Sequence, residues 1–307
     1  MDGLFFLIQT LNGIQYGLLL FLIASGLSIV FGIMGVINLA HGSFYMVGAY
    51  LAYSLTQWTG SLPLALILGI PMTIALGFVI ERLFIIHLYH RDHLQQVLLT
   101  FGLILIFNEL QQVIWGGDPL AVPVPELLRG SVPLSDTLSY PVYRLFLSAV
   151  CLVLAGVMYF VIGHTRLGMR IRAGAANRQM VEALGINVRL LYSVVFAIGV
   201  ALASVAGMLA APVETVYPGM GEQVLIVCFV VVVIGGIGSI RGAFIASIIV
   251  GLVEISGRVF MKDIMALFLN EDFAQTAGPA LASMMIYILM AAILFFKPEG
   301  LFPARTG

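Results

Sequence analysis

The chain has 307 residues, of which 61% are hydrophobic and only 9% carry a charge; its formal net charge is −1 and its mean hydropathy is +1.09. Soluble domains carry about 25% charged residues, so this composition excludes a water-soluble globule. The apolar runs are about 20 residues long, which suits membrane helices better than the short alternating strands of a barrel. We therefore predict an all-α, polytopic helical membrane protein.

The apolar runs predict about nine transmembrane helices, or eight if the region 223–260 holds one broken or re-entrant segment. No basic region precedes the first run, so we expect it to be a membrane span and not a removed signal peptide. Residues 1–307 should form a single transmembrane domain. The runs are 4–31, 44–58, 63–80, 94–115, 143–163, 190–212, 223–236, 243–260 and 279–296.

The basic residues of the connecting segments predict the orientation. Segment 164–189 contains five arginines against a single acid, Glu182, and 81–93 and the C-terminal tail are also basic. Segments 116–142 and 261–278 carry more acids than bases. Because cytoplasmic loops are rich in Lys and Arg, we expect the basic segments in the cytoplasm, the N-terminus outside and the C-terminus inside.

The segment 116–142 contains five prolines. Proline cannot continue a helix and favours extended or turn geometry. We predict an extracytoplasmic loop here, which is either a docking surface for an external partner or a plain connector.

Two apolar stretches are interrupted by glycines, GVINLAHGSF at 35–44 and GSIRGAF at 238–244. Glycine lowers helix propensity by roughly 1 kcal/mol relative to alanine, and it also lets helices approach closely. Either the helices pack tightly here, or they are broken; a break is tolerated at membrane depth only against protein or a water-filled cavity. If they are broken, a translocation pathway is expected beside Asn38, His41, Gly42, Ser43, Gly235, Gly236 and Gly238.

Charged residues inside the apolar runs add to these candidates. A charge at mid-membrane costs at least about 2.5 kcal/mol, so Glu109 should face a cavity or a partner. Glu254 and Arg258 are four residues apart on a predicted helix and are expected to pair with each other. His41 has the alternative role of a hydrogen-bonded packing residue. Cys151 and Cys228 lie inside apolar runs and are expected to be small buried side chains.

The segment 164–189 is too polar for a span, and its pattern predicts a short helix from about 175 to 184 that ends at Gly185. Met180 and Leu184 fall on one face, with Val181 and Ala183 next to them, and Arg178 and Glu182 are spaced to pair. Such a helix suits insertion into a groove of another protein. The alternatives are a helix on the lipid surface and an ordinary basic loop.

Three blocks, GLSIVFGIMGVINLAHGSFYMVGAY at 26–50, RAGAANRQMVEALGINV at 172–188 and GGIGSIRGAFIAS at 235–247, occur in this order. Together they resemble the LivH-type permeases of branched-chain amino acid ATP-binding-cassette importers. One departure is Arg241, which stands where a proline often follows GGIGSI in that family.

The resemblance implies a permease subunit that moves branched-chain amino acids or related small organic solutes across a bacterial inner membrane. It implies a second related permease (as a heterodimer or a homodimer), two ATP-binding subunits and a periplasmic substrate-binding protein. By the resemblance, 164–189 is the cytoplasmic coupling loop and INLAHG lies beside the pathway. The coupling residues are then Arg178, Met180, Val181, Glu182, Leu184 and Gly185.

Other functional classes lack their motifs. No GxxxxGKS/T phosphate loop is present, so the chain itself is not expected to bind ATP. No catalytic set of side chains is evident, so we expect neither an enzyme nor a cofactor, metal or nucleic-acid site. The remaining alternative is a self-sufficient channel or ion-coupled transporter, whose coupling ion would titrate Glu109 or Glu254.

Overall fold

The computed structural model describes residues 3–89, 91–133, 139–267 and 270–302; His90 and Asp136, which belong to the charged segments above, lie outside these ranges. The main elements are α1 (Gly3–Met34), α2 (His41–Thr59), α3 (Leu62–Leu83), α4 (His93–Trp115), β1 (Ser131–Pro133), β2 (Ser139–Pro141), α5 (Val142–His164), α6 (Arg166–Ala176), α7 (Arg178–Ala183), α8 (Val188–Ala210), α9 (Met220–Gly235), α10 (Ile240–Ala266) and α11 (Glu271–Phe296). Two short 3-10 helices cover Ile85–Leu88 and Glu126–Leu128.

The prediction of a polytopic all-α membrane protein is confirmed. Among the described residues, seven helices are long and apolar enough to cross a membrane, namely α1, α3, α4, α5, α8, α10 and α11. The helix α2 is more polar, and α9 is apolar but has only 16 residues. Each of the nine predicted runs corresponds to one helix. Seven of these helices have the length and hydropathy of a membrane span, so the predicted count of eight to nine passes is approximate.

The centre of the bundle is formed by α1 and α8, which are the most buried of these helices. The helix α1 packs against α10, α8 and α9, and α8 also packs against α2 and α3. By contrast, α4, α5 and α11 expose most of their apolar side chains, as expected of helices at the lipid boundary. The apolar side chains of the core are therefore surrounded by protein, and those of the outer surface are expected to face lipid.

The charged connections fall at opposite ends of the bundle. The end of α1 lies against α6 and the turn before α10, and the backbone N–H of Leu301 donates to the Ile234 carbonyl at the end of α9 (2.8 Å). This end, which we call the basic end, holds residues 84–89 and 91–92, α6, α7 and residues 297–302. The opposite, acidic end holds residues 116–133 and 139–141, and Leu120 forms a bridge there with Val216 of the α8–α9 connection.

One detail differs from the sequence-based expectations. The single helix expected over 175–184 is divided at Asn177, whose extended backbone ends α6 and whose side-chain oxygen accepts the Met180 N–H at the start of α7 (3.0 Å). Asparagine competes for backbone donors in this way, which makes it a better N-cap than an interior helix residue. In the proline-rich segment 116–142, β1 and β2 pair antiparallel, in keeping with the extended geometry that its prolines favour.

Candidate functional site

The connection between α1 and α2 is a break inside the bundle. The helix α1 ends at Met34, Gly35 takes a left-handed conformation (φ +63°), and residues 35–40 are not helical before α2 begins at His41. His41 Nε2 donates to the carbonyl of Ile23, 3.0 Å away. Ile23 precedes the end of α1 by eleven residues, roughly 16 Å of helix. The segment 35–40 therefore turns back into the bundle alongside α1.

Polar side chains hold this returning segment. The Asn38 side-chain oxygen accepts the Ala40 N–H (3.1 Å), and the Ile37 N–H donates to Gln96 on α4 (3.0 Å). Asn38 and His41 are fully buried, and Ser43 nearly so. Among the described residues, Asn38 Nδ2 and His41 Nδ1 have no hydrogen-bond partner. His41 thus combines a packing role with one free ring nitrogen.

Gly42, the second residue of α2, allows α2 to pack closely against α9. A Cβ on Gly42 would overlap the backbone of Gly221 in the first turn of α9. The first turns of α2 and α9 therefore touch through their backbones. Both sequence-based alternatives apply here, because the helix is broken and its continuation is tightly packed.

The second glycine cluster makes the turn between α9 and α10. Gly236 and Gly238 have φ of 99° and 80°, and Gly235 packs against Gly242 too closely for a Cβ. The segment after α11 closes this turn, because the Phe302 N–H donates to the Gly235 carbonyl (3.1 Å). This cluster lies at the basic end, where Gly238 also touches Gly32 of α1.

A crevice between α1 and α9 lies beside both glycine clusters, since Ile37 and Ile237 line it. Its volume is about 40 Å³, and its walls include Phe31 of α1 and Phe229 and Val233 of α9. Asn38 is a predicted pathway residue of the first break that also lines this crevice.

Near the acidic end, exposed polar groups lie on neighbouring faces of α4 and α9. Asn108 donates to the Glu222 carboxylate (2.5 Å), and Glu109 is exposed beside Asn108. Gln223 accepts a hydrogen bond from Tyr217 (2.7 Å). Carboxylates on a lipid-facing surface are costly, so this face indicates a water-filled path or a subunit contact. Glu222 was missed from the sequence because it precedes the apolar run 223–236 as an apparent loop residue.

A second cluster of polar side chains lies at the acidic end of the bundle. The Tyr45 hydroxyl donates to Glu214 (3.1 Å), and Glu254 forms the predicted pair with Arg258 (2.6 Å). Burial raises the pKa of the Glu214 carboxyl, which lies in the α8–α9 connection, against the opposing effects of Tyr45, Arg258 and Arg144. Glu214 follows an apolar run without a motif, so only the fold reveals its role.

The helix α7 presents a small apolar face at the basic end. Met180 and Leu184 are 59% and 73% exposed, whereas Val181 is 3% exposed and packs inward. Arg178 and Glu182 form the predicted pair (3.2 Å). Gly185 (φ 80°) follows directly and ends the turn. The exposed face is therefore Met180 and Leu184, and Val181 anchors the helix.

The helix α7 is connected to the bundle through a chain of contacts. The Arg178 guanidinium lies over the Tyr192 ring (5.3 Å), and Tyr192 meets Tyr89 edge to face (5.1 Å). The Tyr89 hydroxyl donates to Glu81 of α3, a fully buried carboxylate that also accepts the Ser193 hydroxyl (2.6 Å). These residues come from four separate segments, so no local pattern in the sequence announces the chain of contacts.

The comparisons with known proteins agree with this architecture. The family described as "Branched-chain amino acid transport system / permease component" matches residues 9–294. The permease protein BraD of Pseudomonas aeruginosa is 31% identical over 96% of this chain and 95% of its own length. The permease protein LivH of Escherichia coli is 28% identical over 96% of this chain and 97% of its own length.

The permease protein LivM of Escherichia coli is also similar, with 29% identity over 91% of this chain and 66% of its own length. No solved structure shows a significant match. The family match covers nearly the whole chain and includes both glycine clusters and α7. The chain therefore belongs to the family of permease components of branched-chain amino acid transport systems, as a multi-pass permease subunit of an ATP-binding-cassette importer.

Proposed function

We propose that the protein forms the translocation pathway for branched-chain amino acids or related small organic solutes in a bacterial inner membrane. The relatives BraD and LivH are both described as parts of high-affinity branched-chain amino acid transport systems, and this supports the solute class. In this proposal the basic end faces the cytoplasm and the acidic end faces outside, following the distribution of Lys and Arg.

The proposed partners are a second permease, two ATP-binding subunits and a periplasmic substrate-binding protein. The chain is similar to both LivH and LivM, which supports pairing with a related permease, as a heterodimer in the first instance and a homodimer as the alternative. The acidic end, with 116–141, is the proposed contact for the substrate-binding protein. The basic end, with 164–189, is the proposed contact for an ATP-binding subunit.

The proposed pathway runs along α9 from the polar face near Glu109 and Glu222 to the crevice beside Asn38. An amino acid carries an ammonium group, a carboxylate and an apolar side chain. The glutamates offer acceptors for the ammonium, the free Asn38 Nδ2 offers a donor for the carboxylate, and the Val and Phe side chains of α9 suit an aliphatic group. His41, Gly42 and Ser43 hold the break open at this position.

The proposed mechanism is alternating access, in which ATP binding to the partner subunits moves α7. The contact of Arg178 with Tyr192 passes this movement to α8, and the Glu81 carboxylate ties α3 to α8. The helix α8 in turn packs against α2, which begins at the break. The turn at Gly235, Gly236 and Gly238 is the proposed hinge at the other end of α9.

The observation that carries the coupling proposal is the exposure of Met180 and Leu184 on a helix that Val181 anchors. We expect Leu184→Asp to abolish co-purification of the ATP-binding subunits and solute uptake, because the carboxylate would be buried in an apolar groove. Leu127→Asp is the matched control, since Leu127 is 96% exposed in the loop at the acidic end. Intact assembly and uptake in Leu184→Asp would refute the coupling assignment.

The alternative function, a self-sufficient channel or ion-coupled transporter, would use Glu109 or Glu254 as the titrating group. Glu254 is paired with Arg258, whereas Glu109 is exposed on α4. Liposomes that contain only this chain separate the two functions. The importer predicts no solute accumulation under an imposed ion gradient without ATP-binding subunits, and accumulation would favour the alternative.

A further inference from the structure

A half-open pocket of about 510 Å³ lies at the basic end and shares no lining residue with the crevice beside Asn38. The pocket lies between the C-terminal end of α5, the helix α6 and the N-terminal end of α10. Two arginines and a histidine line it together with apolar side chains, and none of the lining residues is acidic. The lining residues are Tyr159, Ile162, Gly163, His164, Arg172, Ile240 and Arg241.

The positive groups of the pocket are held in different ways. Arg172 donates to the carbonyls of Ile162 and Gly163 at the end of α5, which fixes its guanidinium at the pocket wall. Arg241 lies in the first turn of α10, two residues after the N-cap Ser239. Its exposed side chain makes no hydrogen bond or ion pair to another side chain of the described residues. The positive end of the α10 dipole adds to the same potential.

The apolar side of the pocket continues onto the outer surface of α5. Val157, Tyr159 and Phe160 are 52%, 55% and 60% exposed, and His164 stacks on Phe160 (5.6 Å, 11°). A small soluble anion would use only the arginines and leave this apolar strip bare. A molecule with an anionic head and acyl chains would use both surfaces.

We propose that this pocket binds the phosphate of an anionic phospholipid from the adjacent leaflet. Arg172, Arg241 and His164 contact the head group, and the acyl chains lie along Tyr159 and Ile162 of α5. Basic pockets between membrane helices on the cytoplasmic side have the charge and shape for such head groups. The bound lipid then links α5, α6 and α10 at the level of the coupling loop. The inference does not depend on which solute is transported.

The test is native mass spectrometry of the assembled importer, released from nanodiscs that contain phosphatidylglycerol and phosphatidylcholine. We expect selective retention of phosphatidylglycerol, and about fivefold weaker retention in Arg241→Gln, given about 1 kcal/mol per basic residue near a membrane surface. Arg91→Gln is the matched control, because Arg91 is an exposed arginine at the basic end but lies outside both the pocket and the segment 164–189. It should retain phosphatidylglycerol like the unmodified importer.

A second experiment tests whether the pocket binds the phosphate of a phospholipid or free inorganic phosphate. The same complex, delipidated in detergent, is incubated with excess inorganic phosphate and then with phosphatidylglycerol. Arg241-dependent binding of the lipid but not of phosphate supports the proposal. Binding of inorganic phosphate alone, or equal lipid retention in Arg241→Gln and the unmodified importer, overturns it.

Discussion

Gly48 of α2 and Gly207 of α8 let these two helices cross in backbone contact, because neither residue has a Cβ. A Cβ on Gly48 would overlap the backbone of Ser204, and one on Gly207 would overlap the Tyr45 carbonyl. The Ser204 hydroxyl donates to the Phe44 carbonyl across the same crossing (2.9 Å). The two backbones are therefore in contact, as is typical of membrane helices packed through small residues.

We expect Gly48→Ala to destabilise the protein, because the extra methyl group must displace the α8 backbone; overpacking of this kind costs roughly 1–3 kcal/mol. The measurement is the thermal midpoint in detergent, followed by fluorescence-detected size-exclusion chromatography. Gly156→Ala is the control, since its Cβ would meet open space on α5. A midpoint for Gly48→Ala equal to that of the control would contradict the close crossing.

A buried carboxylate gives a second prediction at the scale of the residue. In Tyr89→Phe the ring still meets Tyr192 edge to face, but Glu81 loses the hydroxyl donor. Hydrogen bonds to charged groups contribute about 1.5–3 kcal/mol, so we expect the contact between α7 and α3 to weaken while the complex still assembles. The measurement is solute moved per ATP hydrolysed in proteoliposomes, which should fall by about tenfold.

Tyr287→Phe is the matched control for this prediction, because Tyr287 lies on the exposed side of α11, far along the chain from α7. An unchanged transport ratio in Tyr89→Phe would show that the Glu81 contacts stabilise the fold without taking part in coupling. Loss of complex assembly in Tyr89→Phe, with normal assembly in Tyr287→Phe, would also show that the Glu81 contacts stabilise the fold without taking part in coupling.

At the scale of the element, the sequence predicts the helices well because a membrane span is a local property. The run 63–80 appears as Leu62–Leu83 and the run 143–163 as Val142–His164, since about 20 apolar residues suffice to specify a span. The break after α1 was also predictable, because its glycines and Asn38 disfavour a continuous helix locally.

The division at Asn177 of the helix expected over 175–184 was not predictable from composition. The stretch around Asn177 is rich in alanine, which favours helix, and the N-cap role of Asn177 depends on a backbone conformation that the surrounding packing sets. The chain of contacts from Arg178 to Glu81 depends on residues distant in sequence. The side chains that line open space, such as those of the Asn38 crevice, follow from helix packing and not from any local pattern.

At the scale of the whole molecule, the two ends of the bundle differ in charge, and this predicts their exposure to opposite compartments. In spheroplasts, a membrane-impermeant maleimide should label Leu127→Cys but not Arg91→Cys, and inverted vesicles should reverse the result. Leu127 lies at the acidic end and Arg91 at the basic end, and both are exposed. The native Cys151 and Cys228 have 0% exposure and should stay unlabelled. Labelling of both variants from one side would contradict the predicted crossing of the membrane by α4, which lies between the two positions.

The segment after α11 has a consequence for how the protein is made. The carbonyls of Ile234 and Gly235 at the end of α9 accept hydrogen bonds from Leu301 and Phe302, which leave the ribosome after every helix of the bundle. During co-translational insertion the last turn of α9 therefore has no final partner, and the turn into α10 stays loosely closed. We therefore expect the end of α9 and the turn into α10 to reach their final packing only after residues 301 and 302 have been synthesised.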